Sequence, residues 1–432
     1  MASDDLRQLL QLVGGWDGFE IGTWTTEETR EPDVFGLPAP RLTIELKPRD
    51  GSVKRCSRCG TPVEAVHDVT TRRVRDLPLM SYDVWLLFPL ARLRCPRCGP
   101  TVEEIPWLDR YQRMTKRLAD TLARLAQIMP LTQVAALYHV SWDTVKQIDK
   151  RALAARLGRL EDSDLSGVRR IAVDEFALRK GQTYATIVVD TDTKRVVWLH
   201  RGRDADALGG FFAALGAEGR DRLEAVVMDL AVPYVKAVRE HCPHAAIVYD
   251  LFHALARYTA QVLDRVRMDE ANRLARPSRH RLRHIAEQQR RWLTGKGVRW
   301  LLLRDRRNLR THAEHVHLAE LLHANQSLCT VYVLKEDLRT LWETRDTAVA
   351  RHWWKGWYLR ACESGIPSLV RFAKRLALVA EYIVNHARHP LHTSLLEGIN
   401  NKIKVIKRMA YGFRDDAYFF LKIRAAFPGV WR

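Results

Sequence analysis

Ile171-Ala-Val-Asp-Glu-Phe176 is an apolar run that ends in two acids, with more strand-like sequence behind it. A short apolar run bounded by turn signals reads as a buried strand. A carboxylate at the exit of such a strand is costly to desolvate unless a metal, a cation or hydrogen bonds compensate it. Taken alone, Asp174 is either a solvated turn residue or a ligand. The rest of the chain has to decide.

Thr183–Asp190 and Arg195–His200 also read as strands. Short connections through Gly181 and Thr191–Lys194 make them an antiparallel meander with Ile171–Asp174. A helix from Asp204 to Leu215 follows, then a strand Leu223–Asp229, a helix Pro233–His241 and a fifth strand Ala245–Asp250. Three antiparallel strands followed by strands alternating with helices is the order of the ribonuclease H-like fold. Its first and fourth strands are neighbours, which would bring Asp174 beside Asp229. Glu175 should point to the other side of its strand, and Asp190 and Asp192 fall at a hairpin turn.

Residues 254–390 are helical in pattern and dense in arginine. Trp353, Trp354, Trp357 and Tyr358 cluster there, as helix packing or as a base-stacking surface. On a helix beyond them, Glu397, Asn401, Lys404 and Arg408 share one face, with Ile399, Ile403 and Ile406 opposite. Asp174, Asp229 and Glu397 together would repel unless cations neutralise them. Hard oxygen ligands select Mg²⁺ or Mn²⁺, and two such ions suit in-line phosphoryl displacement. Asp250, His253 and Asn401 are expected beside this site in support, and Lys402, Lys404, Lys407 and Arg408 along a phosphate path.

Upstream, Cys56-Ser-Arg-Cys59-Gly60 and Cys95-Pro-Arg-Cys98-Gly99 are two knuckles flanked by alternating segments. Four thiolates at Cys56, Cys59, Cys95 and Cys98 would close a structural Zn²⁺ site in a zinc ribbon, with a hairpin filling the long gap between the knuckles. His67 is an alternative ligand or a surface residue. Residues 115–157 read as helices with a tight turn at Tyr138-His139-Val140. Thr132 is expected to cap one helix and Ser141 the next, a helix-turn-helix. Trp142, Thr144, Lys146 and Gln147 would then face a DNA groove.

The 432 residues carry 70 Lys plus Arg against 51 Asp plus Glu, a net charge of +19. That excess suits nucleic acid. The sequence contains no apolar run of membrane-spanning length and no export signal, so a cytoplasmic, nucleoid-associated protein is expected.

In this order, the two CxxC pairs, the helix-turn-helix, Val173-Asp-Glu-Phe176, Val227-Met-Asp229, Asp250-Leu-Phe-His253, Glu397-Gly-Ile-Asn-Asn-Lys402 and Lys407-Arg-Met-Ala-Tyr-Gly-Phe413 resemble bacterial insertion-sequence transposases of the ISL-three family. The resemblance implies an Asp-Asp-Glu triad matching Asp174, Asp229 and Glu397, and a helical insertion before the glutamate. It also implies double-stranded DNA as partner, as transposon ends and as target. Synapsis of two ends calls for a homodimer or larger assembly.

The expected architecture is thus multi-domain α/β. A segment 1–42 leads into a zinc ribbon 43–110 and a helix-turn-helix 111–160. A ribonuclease H-like mixed-sheet core, 168–253, is interrupted by an all-helical insertion 254–390 and completed by 391–432. A nuclease without strand transfer and a domesticated DNA-binding regulator are the competing readings.

Overall fold

The computed structural model describes residues 2–28, 40–179, 181, 183–229, 231–275, 283–295, 297–304, 306–391 and 394–430. Part of the segment expected to be helical from Arg276 therefore lies outside the described residues. Two compact units emerge: Met1–Gly158 with Ile406–Lys422, and Arg159–Val405 with Ile423–Arg432.

In the first unit, helix α1 (Ala2–Gly14) precedes β1 (Phe19–Glu27) and β2 (Arg41–Pro48). Strands β3 (Val66–Arg75), β4 (Asp83–Cys95) and β5 (Gly99–Val102) complete one sheet. Its order is β1-β2-β4-β3, with β5 on β4. β1 buries Phe19 and Ile21 and β2 buries Leu42, Ile44 and Leu46, joined by Leu10 and Trp16, in one core with Val84, Leu86 and Phe88 of β4. The expected boundary after residue 42 thus falls inside β2, and residues 19–27 belong to the same sheet, with Leu10 and Trp16 packed on its core. The long gap between knuckles is filled by the antiparallel pair β3 and β4.

Three helices follow: α2 (Lys116–Leu125), α3 (Leu131–Leu137) and α4 (Trp142–Leu157). Their apolar faces meet through Leu118, Leu122, Val134, Val145 and Ile148. Ser141 caps α4 by accepting from the Thr144 N–H, as its position before the helix predicts. The cap expected of Thr132 is absent. The chain turns helical directly after an extended Pro130, so Thr132 sits inside the first turn. Asp76, wholly buried, joins sheet to helices: it accepts from Trp16 Nε1 at 2.8 Å and Thr115 Oγ1 at 2.6 Å, and pairs with Arg117.

The second unit is built on β6 (Arg170–Arg179), β7 (Thr183–Asp190), β8 (Val196–Arg201), β9 (Ala225–Met228) and β10 (Ala246–Tyr249). The order is β10-β9-β6-β7-β8. The meander β6-β7-β8 is antiparallel, whereas β9 and β10 run parallel to β6. Helices α5 (Ala205–Arg222) and α6 (Val232–His241) cover one face, where Phe211, Phe212, Tyr234 and Val238 pack on Ile171, Val173, Val226 and Met228.

After β10 the chain is helical: α7 (Leu251–Tyr258), a π-helical turn Thr259–Leu263, α8 (Asp264–Leu274), α9 (Arg283–Thr294), α10 (Val298–Leu303), α11 (His312–His323), α12 (Gln326–Leu341), α13 (Thr347–Glu363), α14 (Pro367–Ala377) and α15 (Ala380–Arg388). Tyr258, Leu328, Leu338, Trp342, Trp357 and Phe372 share its core. Trp354 and Trp357 stack at 5.5 Å, and Trp357 Nε1 donates to the Leu334 carbonyl. Two of the clustered tryptophans are therefore packing residues, and Trp353 alone of the three is exposed.

The chain closes with α16 (Ser394–Met409) and α17 (Asp416–Ala426). The region 391–432, expected to complete the core, divides between the units at Val405/Ile406 and Lys422/Ile423. Among the described residues, no helix is long and apolar enough to cross a membrane.

Candidate active site and metal centre

Strand register builds the site. Val173 pairs with Met228 in the parallel β6–β9 ladder, and Met228 pairs with Tyr249 in β9–β10. Asp174, Asp229 and Asp250 therefore follow directly on the last paired rung. Asp229 and Asp250 lie just beyond the carboxyl ends of β9 and β10. Asp174 lies inside β6, where the strand's parallel pairing with β9 stops and its pairing with β7 continues to Arg179. Strands lie about 4.8 Å apart, and carboxyl ends of parallel strands are where open α/β sheets bind ligands. Val173 and Met228 face the α5–α6 core, so alternation turns Asp174 and Asp229 to the opposite face.

Each acid has partners. Asp174 Oδ1 accepts from the Glu175 backbone N–H at 2.8 Å, and Oδ2 accepts from Asn400 Nδ2 at 2.7 Å. Burial pushes the Asp174 carboxyl up from the usual range. The Glu175 N–H, His253 and Asn400 oppose that rise, and the like charge of Asp250 adds to it. Asp229 Oδ1 accepts from Arg257 Nη2 at 2.7 Å. His253 Nδ1 lies 3.9 Å from Asp229, and its Nε2 lies 3.8 Å from Asp250. Asp250 is buried and caps α7, accepting from the His253 N–H.

Glu175 turns the other way, towards Arg203 at 3.7 Å. Burial also raises its carboxyl, against the pull of Arg203. Asp190 and Asp192 serve the β7–β8 turn: Asp190 accepts from the Asp192 N–H, and Asp192 pairs with Arg170 at 2.6 Å.

On α16, Leu396, Ile399 and Ile403 are buried and Ile406 is half-buried. Glu397 is exposed. It stands three residues before Asn400, on the same side of the helix. Among the described residues, Asp174, Asp229 and Glu397 do not form a group with all three carboxylates within 4.8 Å of one another. The amide that reaches Asp174 is that of Asn400. Asn401, expected in this role, is exposed and accepts from Lys404 Nζ at 3.3 Å. Lys402 is engaged by the Ala426 carbonyl at 3.1 Å and the Phe427 ring. Lys404 and Arg408 are exposed, and Lys407 is half-buried.

The four cysteines behave as their spacing predicts. Cys56, Cys59, Cys95 and Cys98 bring their sulfurs within 4.8 Å of one another. Gly60 and Gly99, one after each pair, take φ of 68° and 69°, the left-handed turn a side chain would resist. His67 pairs instead with Asp68 at 2.9 Å. The Thr61 hydroxyl draws Cys59 down to about 6, and sharing a hydrogen bond with Cys59 pushes Cys98 up to about 12. Crowded thiols lose their first proton easily and their last with difficulty, which a bound cation reverses. Four sulfur donors with a buried flank of Val63, Ala91 and Leu93 fit a structural zinc ion.

On the helix-turn-helix, Trp142 and Gln147 of α4 are exposed. Thr144 is half-buried, its hydroxyl 2.8 Å from that of Ser141. Lys146 departs from expectation: it lies 3.6 Å from Asp415, which also holds Lys150 at 2.7 Å. Beside α4 runs a groove of about 560 Å³ lined by Tyr111, Arg113, Lys116, Thr144, Gln147 and Arg151 among others.

A four-thiolate ribbon, a capped helix-turn-helix and a sheet carrying acids at its parallel carboxyl ends together define a DNA-processing protein. Residues 171–423 match a transposase family model, residues 103–153 the helix-turn-helix domain of transposase family ISL3, and residues 52–98 the zinc finger of the IS204/IS1001/IS1096/IS1165 transposases. The chain is 45% identical over 426 residues to the transposase for insertion sequence element IS1001 of Bordetella parapertussis, covering 98% of both chains. It is 31% identical over 398 residues to the transposase for insertion sequence element IS1557 of Mycobacterium tuberculosis H37Rv, covering 87% of this chain and 86% of that one. The chain belongs to the ISL3 family of transposases, and it is a DNA transposase that cuts and transfers DNA.

Proposed function

We propose that this transposase binds the terminal inverted repeats of its element, cleaves at their 3′ ends and joins the freed ends to target DNA through an Asp174–Asp229–Glu397 site. The observation that carries the reading is that Asp174 and Asp229 each follow directly on Val173–Met228, the last paired rung of the parallel β6–β9 ladder. The sheet order, with its first three strands antiparallel and the fourth beside the first, supports a ribonuclease H-like core.

Asp174 and Asp229, with Glu397 from α16, are the residues that would hold Mg²⁺ or Mn²⁺, two per site. When bound, the ions activate the attacking oxygen and stabilise the leaving one in an in-line displacement. The donor set fits hard cations, because every proposed ligand is a carboxylate oxygen. The raised carboxyl of Asp174 and the Arg257 guanidinium on Asp229 point the same way: negative charge here calls for a positive partner.

The remaining steps belong to the chain. Asn400 and the Glu175 N–H orient Asp174, while His253 sits between Asp229 and Asp250. Lys404 and Arg408 offer exposed cations along α16 for the phosphate path. Trp142 and Gln147 present the outer side of α4 to a groove, and the ribbon adds backbone contacts. In the first displacement the oxygen of water takes the phosphorus and the element's 3′-oxygen leaves as a hydroxyl. In the second that hydroxyl attacks a target phosphodiester, and a target 3′-oxygen leaves. Synapsis of two ends calls for a homodimer or larger assembly on DNA.

The test is to incubate protein, Mg²⁺ and end-bearing DNA with target plasmid. Joined products are expected. Cleavage without joining would leave a nuclease in place of a strand-transfer enzyme. Asp174→Asn is expected to abolish both steps while end binding persists, and binding without cleavage by the unmutated chain would mark a regulator.

A further inference from the structure

Asn400 sits where two faces of α16 meet. Leu396, Ile399 and Ile403 bury one side of the helix, while Glu397, Lys404 and Arg408 expose the other. Its Nδ2 donates to Asp174 Oδ2 at 2.7 Å. That bond settles which end of the amide is which, since a carboxylate oxygen requires a donor. The Asn400 Oδ1 is then left buried and has no hydrogen-bond partner among the described residues.

A buried carbonyl without a donor costs about 1–3 kcal/mol, comparable with the ~1.5–3 kcal/mol that a hydrogen bond to a charged carboxylate returns. A leucine here would extend the apolar side of the helix and bury no orphaned oxygen. Stability alone therefore does not call for an amide, and what the amide provides is its hold on Asp174. With the Glu175 N–H on Oδ1, the Asn400 bond fixes both oxygens of Asp174. Glu397 lies three residues earlier on the same side of the same helix. The bond therefore also registers the Glu397 helix against β6.

We infer that Asn400 is a positioning residue for the cation site, holding the Asp174 carboxylate in place and tying the helix that carries Glu397 to β6. The inference rests on the reading of Asp174 and Glu397 as cation-binding acids. It adds that the geometry between them depends on one side-chain amide.

The test is Mn²⁺ binding to the full-length, zinc-loaded protein, read from the electron paramagnetic resonance of free Mn²⁺, with the thermal midpoint of the metal-free protein measured in parallel. Asn400→Leu is expected to weaken Mn²⁺ binding about 10- to 100-fold, the usual effect of removing a residue that orients a ligand, without lowering the thermal midpoint. Asn400→Gln keeps a donor and is expected to recover part of the loss. Wild-type Mn²⁺ binding by Asn400→Leu, alongside loss of binding in Asp174→Asn, would overturn the inference and leave the reading of the site intact. A lowered midpoint in Asn400→Leu with no recovery in Asn400→Gln would make Asn400 a packing residue and overturn it equally. Wild-type binding by Asp174→Asn would remove the site itself, and the inference with it.

Discussion

Asp174 is held in a conformation that opposes its own charge. Burial raises its carboxyl, and the hydrogen bonds from Glu175 N–H and Asn400 only partly offset this. A carboxyl whose folded value lies above its unfolded value contributes most below the unfolded value, near pH 3.9. Its contribution then falls as pH rises through the folded value. Metal-free Asp174→Asn should therefore melt a few degrees above wild type near neutral pH, and the difference should close as pH falls below the carboxyl range. Added Mg²⁺ should stabilise wild type and not the variant, because only the native site gains a ligand. Thermal melts at three pH values, with and without Mg²⁺, check both signs. Asp174 itself was legible as an acid ending an apolar run. Asn400 was not: it lies 100° round the helix from Asn401, and only the burial of Leu396, Ile399 and Ile403 decides which amide meets the strand.

Among the elements, the two knuckles and α4 follow from short sequence signals, whereas their fastening does not. The Cys-x-x-Cys-Gly pattern contains both the ligands and the left-handed glycines, so the metal centre could be read without the fold. Replacing Cys95 by Ser, or removing zinc with a chelator, should release the metal and unfold the ribbon, since a small module draws its folding energy from the ion. Zinc content and hydrogen exchange across residues 52–102 would register the loss. The fastening of α4 depends on Asp149, which is wholly buried. It accepts from Tyr418 Oη at 2.5 Å and Lys422 Nζ at 3.1 Å, and from Gln127. Asp149→Ala would strand the Lys422 ammonium, which burial already biases towards neutrality. A loss of about 3 kcal/mol is expected in the first denaturant transition. Tyr418→Phe removes one donor to the Asp149 carboxylate and should cost about 1.5–3 kcal/mol.

Across the molecule, the chain order of motifs is simpler than the way they assemble. Residues 406–422 begin in the last turn of the helix that carries Glu397, yet they group with the unit of the ribbon and helix-turn-helix. Asp149 and Tyr418 meet across 269 positions of sequence, a separation at which no local period carries information. The net charge of +19 is a property of the whole chain and needs no fold. End binding should weaken steeply with salt: six or more phosphate contacts would cost about 10³-fold or more between 50 and 200 mM. A binding isotherm series in salt measures the slope, and a flat one would show that few of the exposed cations reach phosphate.

What the sequence determined alone was whatever short-range chemistry encodes: thiolate spacing, the Ser141 cap, alternating strands and the acids at their ends. Those signals sufficed for the family, the clustering of the four cysteines and the adjacency of the strands that lead to Asp174 and Asp229. The tertiary structure decided the rest: the rung that brings in Asp250, the choice of Asn400 over Asn401, the capture of Lys146 by Asp415, and the division of the C-terminal helices between units. Each of these depends on which of several chemically similar groups is buried against a distant partner, and burial is a property of packing that the order of residues along the chain does not carry.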